Sequence, residues 1–282
     1  MATPALRTVQ LPSGERVAAL GQGTWRMGEG TAVRDGELRS LRLGVDLGLT
    51  LIDTAEMYAD GAAEELVADA IEGRRDEVFL VTKVLPSNAT RHGTKEACER
   101  SLRRLRTDRI DLYLLHWPGR HPLAGTVEAF TELKEAGKIR HWGVSNFDAV
   151  DLGELITVAG GDEVETDQVL YNLPHRQAEF ELLPWCRDRG MPLMAYSPVD
   201  RGALVQDDVA VEIAEKHDAT PAQVALAWVL RHDGVCAIPK ASIPEHVREN
   251  ARALELELDQ DDIKLLEAEF PPPSGPGPLD LY

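Results

Sequence analysis

Polar and ionisable residues stand at the ends of several apolar segments of this sequence. Asp53, Lys83 and His116 each close such a segment, and Tyr58 follows Asp53 by five positions. Carboxylate, ammonium, imidazole and phenol groups are the side chains that exchange protons in enzymes. A lysine at the end of an apolar segment is costly unless it is paired, and Asp53 is its candidate partner. These four residues are the first candidates for a site of acid–base chemistry.

Each of the four residues also has a structural interpretation when it is taken alone. Asp53 and Lys83 would then form a structural ion pair, His116 would be a hydrogen-bonded core histidine, and Tyr58 would only pack. Their common position at segment ends favours one shared site over separate structural roles.

Eight short apolar segments alternate with helical patterns along the chain. Their length and their β-branched and aromatic content favour buried parallel strands. We expect a closed (β/α)8 TIM barrel, one α/β domain over residues 1–282, with a doubly wound sheet as the alternative. In a barrel the polar segment ends meet at one mouth, where active sites of this fold lie. The segments are 18–21, 49–53, 78–83, 110–116, 141–146, 167–171, 192–197 and 235–240.

The two ends of the chain and two helix starts carry local signals. Residues 8–11 and 16–19 flank a Pro-Ser-Gly-Glu turn, which predicts an N-terminal β-hairpin. Thr94 is the predicted N-cap of a helix over 95–106, and Thr220 with Pro221 opens another helix. The proline-rich tail 271–282 is expected to fold over the barrel mouth, with a disordered terminus as the alternative.

Charge and composition exclude several classes of partner. The chain carries 48 acidic and 30 basic residues, a formal charge of −18, which repels nucleic acid and anionic membranes. It has no secretory signal pattern and no apolar run that could span a bilayer, so a cytoplasmic protein is expected. Three widely spaced cysteines predict neither a disulfide framework nor a metal site. We expect a monomer.

Short strings that run in order through nearly the whole chain resemble the aldo-keto reductase superfamily. The likeness is strongest to short bacterial members described as methylglyoxal or small-aldehyde reductases. Any one string is modest support, whereas the ordered set is specific. The strings lie at 20–25, 52–58, 80–83, 111–118, 143–147, 167–169, 195–198 and 238–240, followed by Glu249-Asn250.

The resemblance implies NAD(P)H-dependent reduction of small aldehydes and ketones, with methylglyoxal or another dicarbonyl as the leading substrate. The nicotinamide cofactor supplies hydride, and Tyr58 protonates the developing oxyanion. Lys83 would lower the pKa of Tyr58, Asp53 would hold Lys83, and His116 would orient the carbonyl oxygen. The implied substrate pocket consists of Trp25, Met57, Tyr58, His116 and Trp117.

The resemblance also implies which residues hold the cofactor. Ser145, Asn146 and Gln168 would bind the carboxamide, and Tyr196 would stack on the nicotinamide ring, near Gly23, Thr24, Trp25 and Asp53. The pyrophosphate would lie under Ser197, Pro198, Val199, Arg201, Gly202 and Leu204. The adenosine end would be surrounded by Ile238, Lys240, Ala241, Ser242, His246, Glu249 and Asn250.

The adenosine end departs from the family pattern at two positions. Ala241 and His246 stand where the family often has serine and arginine. Arginine grips a 2′-phosphate through two parallel hydrogen bonds, and histidine lacks both that geometry and the permanent charge. Ser242 can replace the missing hydroxyl, and Lys240 and Arg248 keep positive charge nearby. NADPH is the expected cofactor, and NADH remains an alternative.

Two other functions fit parts of the pattern. A regulatory, non-catalytic barrel subunit would keep the cofactor site without turnover. A barrel hydrolase or lyase would use Asp53 with Glu56 and would bind no nicotinamide. A Rossmann dehydrogenase is disfavoured because the string that begins at Gly21 has Arg26 where GxGxxG requires glycine.

Overall fold

The computed structural model describes residues 7–282, which form ten strands and ten α-helices. No helix in this range combines the length and the apolar composition that a membrane crossing needs. The strands are β1 Thr8–Gln10, β2 Arg16–Ala18, β3 Gln22–Gly23, β4 Leu51–Asp53, β5 Phe79–Val84, β6 Ile110–Leu115, β7 Ile139–Ser145, β8 Asp167–Leu170, β9 Leu193–Tyr196 and β10 Val235–Ala237. The helices are α1 Arg34–Asp46, α2 Ala62–Ala70, α3 Arg91–Leu105, α4 Leu123–Glu135, α5 Ala149–Leu155, α6 Leu182–Asp188, α7 Asp208–Lys216, α8 Pro221–Val229, α9 Pro244–Arg252 and α10 Gln260–Glu269.

Strands β3 to β10 pair in parallel in strictly sequential order, and β1 and β2 form a separate antiparallel hairpin. Parallel bridges between Leu20 and Ala237 and between Gly23 and Lys240 join the two ends of the row. The expected (β/α)8 barrel with an N-terminal hairpin is therefore confirmed, and the doubly wound alternative is wrong. Strands β4, β5 and β6 are buried at every position, as strands inside a ring of helices must be.

The closing seam explains the glycine on β3. A Cβ atom on Gly23 would lie 2.6 Å from the carbonyl oxygen of Ile238, closer than any side chain tolerates. Glycine therefore lets β3 approach β10 closely enough to close the barrel. The predicted first strand, 18–21, is displaced in the structure. Ala18 ends the hairpin strand β2, and the chain turns into the barrel just before β3.

Two predicted helix starts had different outcomes. Thr220 caps α8 in a capping box with Gln223, and Pro221 is the first helical residue, as predicted. The predicted N-cap Thr94 is wrong, because α3 begins at Arg91 and Thr90 accepts the hydrogen bond from Gly93. Thr94 is instead buried inside the helix.

The C-terminal tail folds back to the barrel mouth, as expected. The side chain of Gln177 donates to the carbonyl of Gly275 over 3.2 Å, and Asp280 lies 3.2 Å from the His175 ring. Tyr282 donates a hydrogen bond to Asp200, and the guanidinium of Arg201 lies 3.5 Å from the centre of its ring. The last residues are thus fastened to the loop that follows β9.

The hairpin covers the opposite, amino-terminal end of the barrel. His141, at the start of β7, contacts Glu15 at 2.6 Å and Glu165 at 3.1 Å, and Glu165 also accepts from the amide of Ser13. Burial alone would lower the pKa of His141, but hydrogen bonds and charge from the two carboxylates outweigh it and raise that pKa. Burial opposes ionisation of Glu165, yet its bonds to His141 and Ser13 lower the pKa of this carboxyl.

The raised pKa makes the hairpin contact pH-dependent. A protonated imidazole is favoured in the folded state, so its stabilisation is complete below the ordinary imidazole pKa and is lost as pH rises through the raised one. We expect His141→Gln to lower the free energy of unfolding by about 1–3 kcal/mol at a pH near 6. The difference from wild type should shrink toward a pH of about 9.

Thermal unfolding of both proteins across this pH range, followed by circular dichroism, measures the difference. His92→Gln is the matched control, since the side chain of His92 is 82% exposed. A loss of unfolding free energy in His141→Gln that stays constant across the pH range would contradict a protonated His141 in the folded state.

Candidate active site

The carboxyl ends of the barrel strands open into a cleft of about 870 Å³. It contains the expected substrate-side residues and most of the expected cofactor-side residues. Those that line it are Gly23, Trp25, Asp53, Met57, Tyr58, His116, Trp117, Ser145, Asn146, Gln168, Tyr196, Ser197, Pro198, Val199, Arg201, Gly202, Ile238, Lys240, Ala241, Ser242, His246, Glu249 and Asn250.

Lys83 lies behind the cleft wall with no exposed surface. Its ammonium group is 2.8 Å from the carboxylate of Asp53, 2.9 Å from the carbonyl of Thr54 and 3.3 Å from the hydroxyl of Tyr58. Burial alone would lower the pKa of Lys83, but the charge of Asp53 and the hydrogen bonds outweigh it and raise that pKa. All three N–H donors of a protonated lysine are thereby used, which fixes the ammonium in one position.

Tyr58 occupies the first position of a short 3-10 turn, Tyr58–Gly61, directly in front of Lys83. Burial raises the pKa of Tyr58, and the charge of Lys83 acts in the opposite direction without cancelling it. The expected effect of Lys83 is present, but the expected net lowering of the tyrosine pKa is not. Tyr58 is therefore a protonated phenol in this cleft. Because Lys83 donates to its oxygen, its own O–H is free to donate into the cleft.

His116 follows β6 and completes the group of four. Its ring centre lies 5.8 Å from that of Tyr58, at an interplanar angle of 72°. Burial, with a further contribution from the charge of Lys83, holds the pKa of His116 well below its usual value. Its Nδ1 is buried without a hydrogen-bond partner among residues 7–282. Its Nε2 is not one of the buried atoms that lack a partner. A neutral imidazole here can donate through Nε2–H toward the cleft.

A chain of hydrogen bonds links the opposite wall of the cleft. Gln168 donates to Asp53 over 2.8 Å, and the hydroxyl of Ser145 donates to the Gln168 carbonyl over 2.7 Å. Asn146 donates to the carbonyl of His116 and accepts from the Tyr196 hydroxyl at 3.0 Å. The left-handed backbone of Asn146, at φ 60°, turns the chain sharply after β7 and brings its side chain to this position. The residues expected to bind a carboxamide are therefore prearranged by one another and by Asp53.

The other half of the cleft suits a long polyanion. Arg201 and Lys240 line it, Arg26 lies over the Trp25 ring at the rim, and none of the three has an ion pair within the described part of the chain. In a protein of charge −18, three exposed cations along one cleft favour an anionic partner. Thr220, Pro221 and Ala222, at the start of α8, also line the cleft. These residues fit a nicotinamide dinucleotide.

Two expected cofactor residues have side chains outside the cleft. Thr24 is fully buried and donates to the carbonyl of Asp53 over 2.9 Å, and Leu204 is buried under the loop after β9.

The sequence analysis in turn missed several lining residues. Arg26 is adjacent to a predicted residue, and Thr220 and Pro221 were recognised only as a helix start. The missed residues are Arg26, Val205, Thr220, Pro221, Ala222, Pro239 and Ile243, whereas Tyr282 belongs to the tail that was expected to fold over the mouth.

Glu56, the second carboxylate of the hydrolase alternative, does not line the cleft. Its side chain is 7% exposed and accepts from the amide of Leu85 at 2.8 Å and the side chain of Asn88 at 2.9 Å. Arg100 lies 3.5 Å from its other oxygen. Glu56 thus ties the segment between Asp53 and Tyr58 to the loop after β5 and is not aimed at a substrate.

Comparison with known proteins agrees with this geometry. Residues 19–269 match the model of the aldo/keto reductase family. The chain is 49% identical over 280 residues to the methylglyoxal reductase YeaE of Escherichia coli K12, covering 98% of this chain and 99% of that protein. It is 36% identical to a glyoxal reductase of Bacillus subtilis, covering 95% and 94%.

A solved structure agrees equally well. An aldo/keto reductase from Klebsiella pneumoniae, crystallised with NADP and acetate, superposes with a TM-score of 0.96 at 48% identity. The match covers 99% of this chain and 100% of that one. The chain belongs to the aldo/keto reductase family, a class of oxidoreductases that reduce carbonyl groups. The hydrolase alternative is therefore wrong.

Proposed function

We propose that the protein reduces small aldehydes and dicarbonyl compounds, such as methylglyoxal, to alcohols at the expense of NADPH. The observation that carries this proposal is the direction of the bond between Lys83 and Tyr58. The ammonium donates to the phenol oxygen over 3.3 Å, so the phenol proton is left for an acceptor in the cleft. A carbonyl oxygen that gains negative charge is such an acceptor.

Four protein groups would serve the reaction once NADPH supplies hydride to the carbonyl carbon. Tyr58 donates the proton to the oxygen, as the general acid. Lys83 stabilises the phenolate that Tyr58 becomes, and Asp53 keeps Lys83 charged and in place. His116 donates a second hydrogen bond through Nε2–H, which stabilises charge on the oxygen and fixes its position.

The cleft mouth supports small substrates. Trp25, Met57 and Trp117 are exposed by 37%, 41% and 38%, and they form an apolar rim around the Tyr58 hydroxyl. Apolar side chains around a few convergent polar groups are typical of small-molecule sites. YeaE of Escherichia coli, the 49% identical relative, is a methylglyoxal reductase, which supports a dicarbonyl substrate here.

The cofactor would lie along the cleft from Tyr196 to His246. The nicotinamide end would be contacted by Gly23, Ser145, Asn146 and Gln168. The pyrophosphate would be contacted by the residues from Ser197 to Gly202. Lys240, whose ammonium donates to the Ser242 hydroxyl over 3.1 Å, would meet the 2′-phosphate together with His246. The relative from Klebsiella was crystallised with NADP, which supports the phosphorylated cofactor. We further propose that residues 1–282 act as one domain, as a monomer and in the cytoplasm.

Removing the Tyr58 hydroxyl tests the general acid. We expect Tyr58→Phe to lower kcat for methylglyoxal reduction by about 10²–10⁴-fold, with NADPH affinity retained. Tyr113→Phe is the matched control, because Tyr113 is fully buried and its hydroxyl has no partner among residues 7–282. The measurement is the rate of NADPH oxidation, followed by the near-ultraviolet absorbance of the reduced cofactor, alongside a titration of NADPH binding. Near-wild-type kcat in Tyr58→Phe, or NADPH binding without turnover of any carbonyl by the wild type, would contradict the proposal.

The proposed contact with the 2′-phosphate is tested by adding positive charge at one of its residues and removing it at another. We expect His246→Arg to raise the ratio of kcat/KM for NADPH over NADH by about tenfold, because a guanidinium adds charge-assisted hydrogen bonds to the phosphate. Lys240→Gln should lower the same ratio. Initial rates with each cofactor give both values. A wild-type protein that prefers NADH would overturn the NADPH assignment.

A further inference from the structure

Four arginines meet in an open crevice of about 410 Å³ between α1, α2 and α3. None of the residues that line it lines the cofactor cleft. We call it the arginine crevice, and it is formed by Arg34, Glu65, Asp69, Arg103, Arg104 and Arg106. Its lining has four guanidinium groups and two carboxylates, and Arg104 is also paired with Glu64 outside the lining, which leaves an excess of one positive charge on a chain whose net charge is −18.

The ion pairs inside the crevice leave part of this charge uncompensated. Asp69 is shared by Arg34 and Arg106, so one carboxylate serves two guanidinium groups. Burial opposes the ionised form of Asp69, but its bond to Arg106 is the larger influence and lowers the pKa of this carboxyl. Arg103 is exposed and has no ion pair within residues 7–282. Several planar donor groups around one open volume suit an anion with several oxygens.

The crevice is connected to the catalytic group through Arg104. Its Nε is 2.5 Å from Glu64, which is fully buried and also accepts from the hydroxyl of Thr82 at 2.6 Å. Thr82 directly precedes Lys83 on β5. An anion that draws Arg104 toward the crevice weakens its bond to a buried carboxylate, and Glu64 must then move or lose its partner.

A second contact leads to the general acid. Arg104 packs against Gly61, where a Cβ atom would lie 2.6 Å from its Nε. Gly61 has a φ of 94° and ends the short turn that begins with Tyr58. The same arginine therefore touches the turn that carries Tyr58 and the carboxylate that braces the strand of Lys83.

We propose that the arginine crevice binds a phosphate-like dianion, either inorganic phosphate or the phosphate group of a monoester. Binding there changes the turnover of the distant carbonyl site through Arg104. The binding half of this proposal is independent of the proposed function, and the turnover half rests on it.

Binding is tested on the protein saturated with NADP⁺, so that the phosphate sites of the cofactor cleft are filled. We expect inorganic phosphate to raise Tm by about 2 °C over chloride at matched ionic strength, because a ligand that binds only the folded state stabilises it. Arg103→Gln/Arg106→Gln should abolish the shift. Arg187→Gln/Arg252→Gln removes the same charge from exposed positions that have no ion pair among residues 7–282, and this variant should keep the shift.

Turnover is measured under the same conditions with saturating NADPH and aldehyde. We expect phosphate to change kcat at least about twofold in wild type and in the control variant, and not in Arg103→Gln/Arg106→Gln. Methyl phosphate distinguishes the two sources of the dianion. A site for monoesters gives the same Tm shift and change in kcat with methyl phosphate as with inorganic phosphate, whereas a site for inorganic phosphate alone does not. No Tm shift in wild type, or an equal shift in the crevice variant, would overturn the binding site. A Tm shift with unchanged kcat would overturn the link to catalysis.

Discussion

A lysine ammonium without exposed surface stays charged inside a barrel only when each of its N–H groups has an acceptor. Lys83 meets this condition with the carboxylate of Asp53, the carbonyl of Thr54 and the hydroxyl of Tyr58. The same three bonds orient the tyrosine so that its proton faces the cleft. They also place a fixed positive charge where the phenolate would form. The proton donor, its stabilising cation and the counterion are thus one hydrogen-bonded unit.

The rest of the site is arranged around that unit. Asp53 is held on its other side by Gln168, which connects it to the wall formed by Ser145 and Asn146. The charge of Lys83 adds to burial in keeping His116 neutral, so that the histidine acts as a hydrogen-bond donor and not as a cation. The barrel supplies the precision, because every group except Tyr58 stands on a strand or directly after one, and Tyr58 is held by its bond to Lys83 on β5. The loop after β9 and the tail close the periphery through Asp200, Arg201 and Tyr282.

Much of this could be predicted from the sequence, and the exceptions have physical causes. Eight apolar segments ending in polar residues predict both the barrel and the location of the site, because the carboxyl ends of parallel barrel strands lie at the same mouth. The predicted start of α3 at Thr94 is one turn late, because the Thr90 side chain accepts the hydrogen bond from the amide of Gly93 and caps the helix there. The net pKa of Tyr58 depends on burial, which the sequence does not show. Tyr282 reaches the cleft through tertiary contacts of an irregular tail. The arginine crevice needs three helices to bring its residues together.

The central claim is that the buried Asp53–Lys83 pair makes Tyr58 an effective proton donor. Its most direct test is kcat for carbonyl reduction in the double variant Asp53→Asn/Lys83→Met, which replaces the pair by neutral groups of similar volume. Changing both residues leaves no uncompensated buried charge, so the variant should fold, and a binding titration checks that it still binds NADPH. The account predicts that kcat falls by at least about 100-fold. A folded, NADPH-binding double variant with kcat within a few-fold of wild type would contradict it.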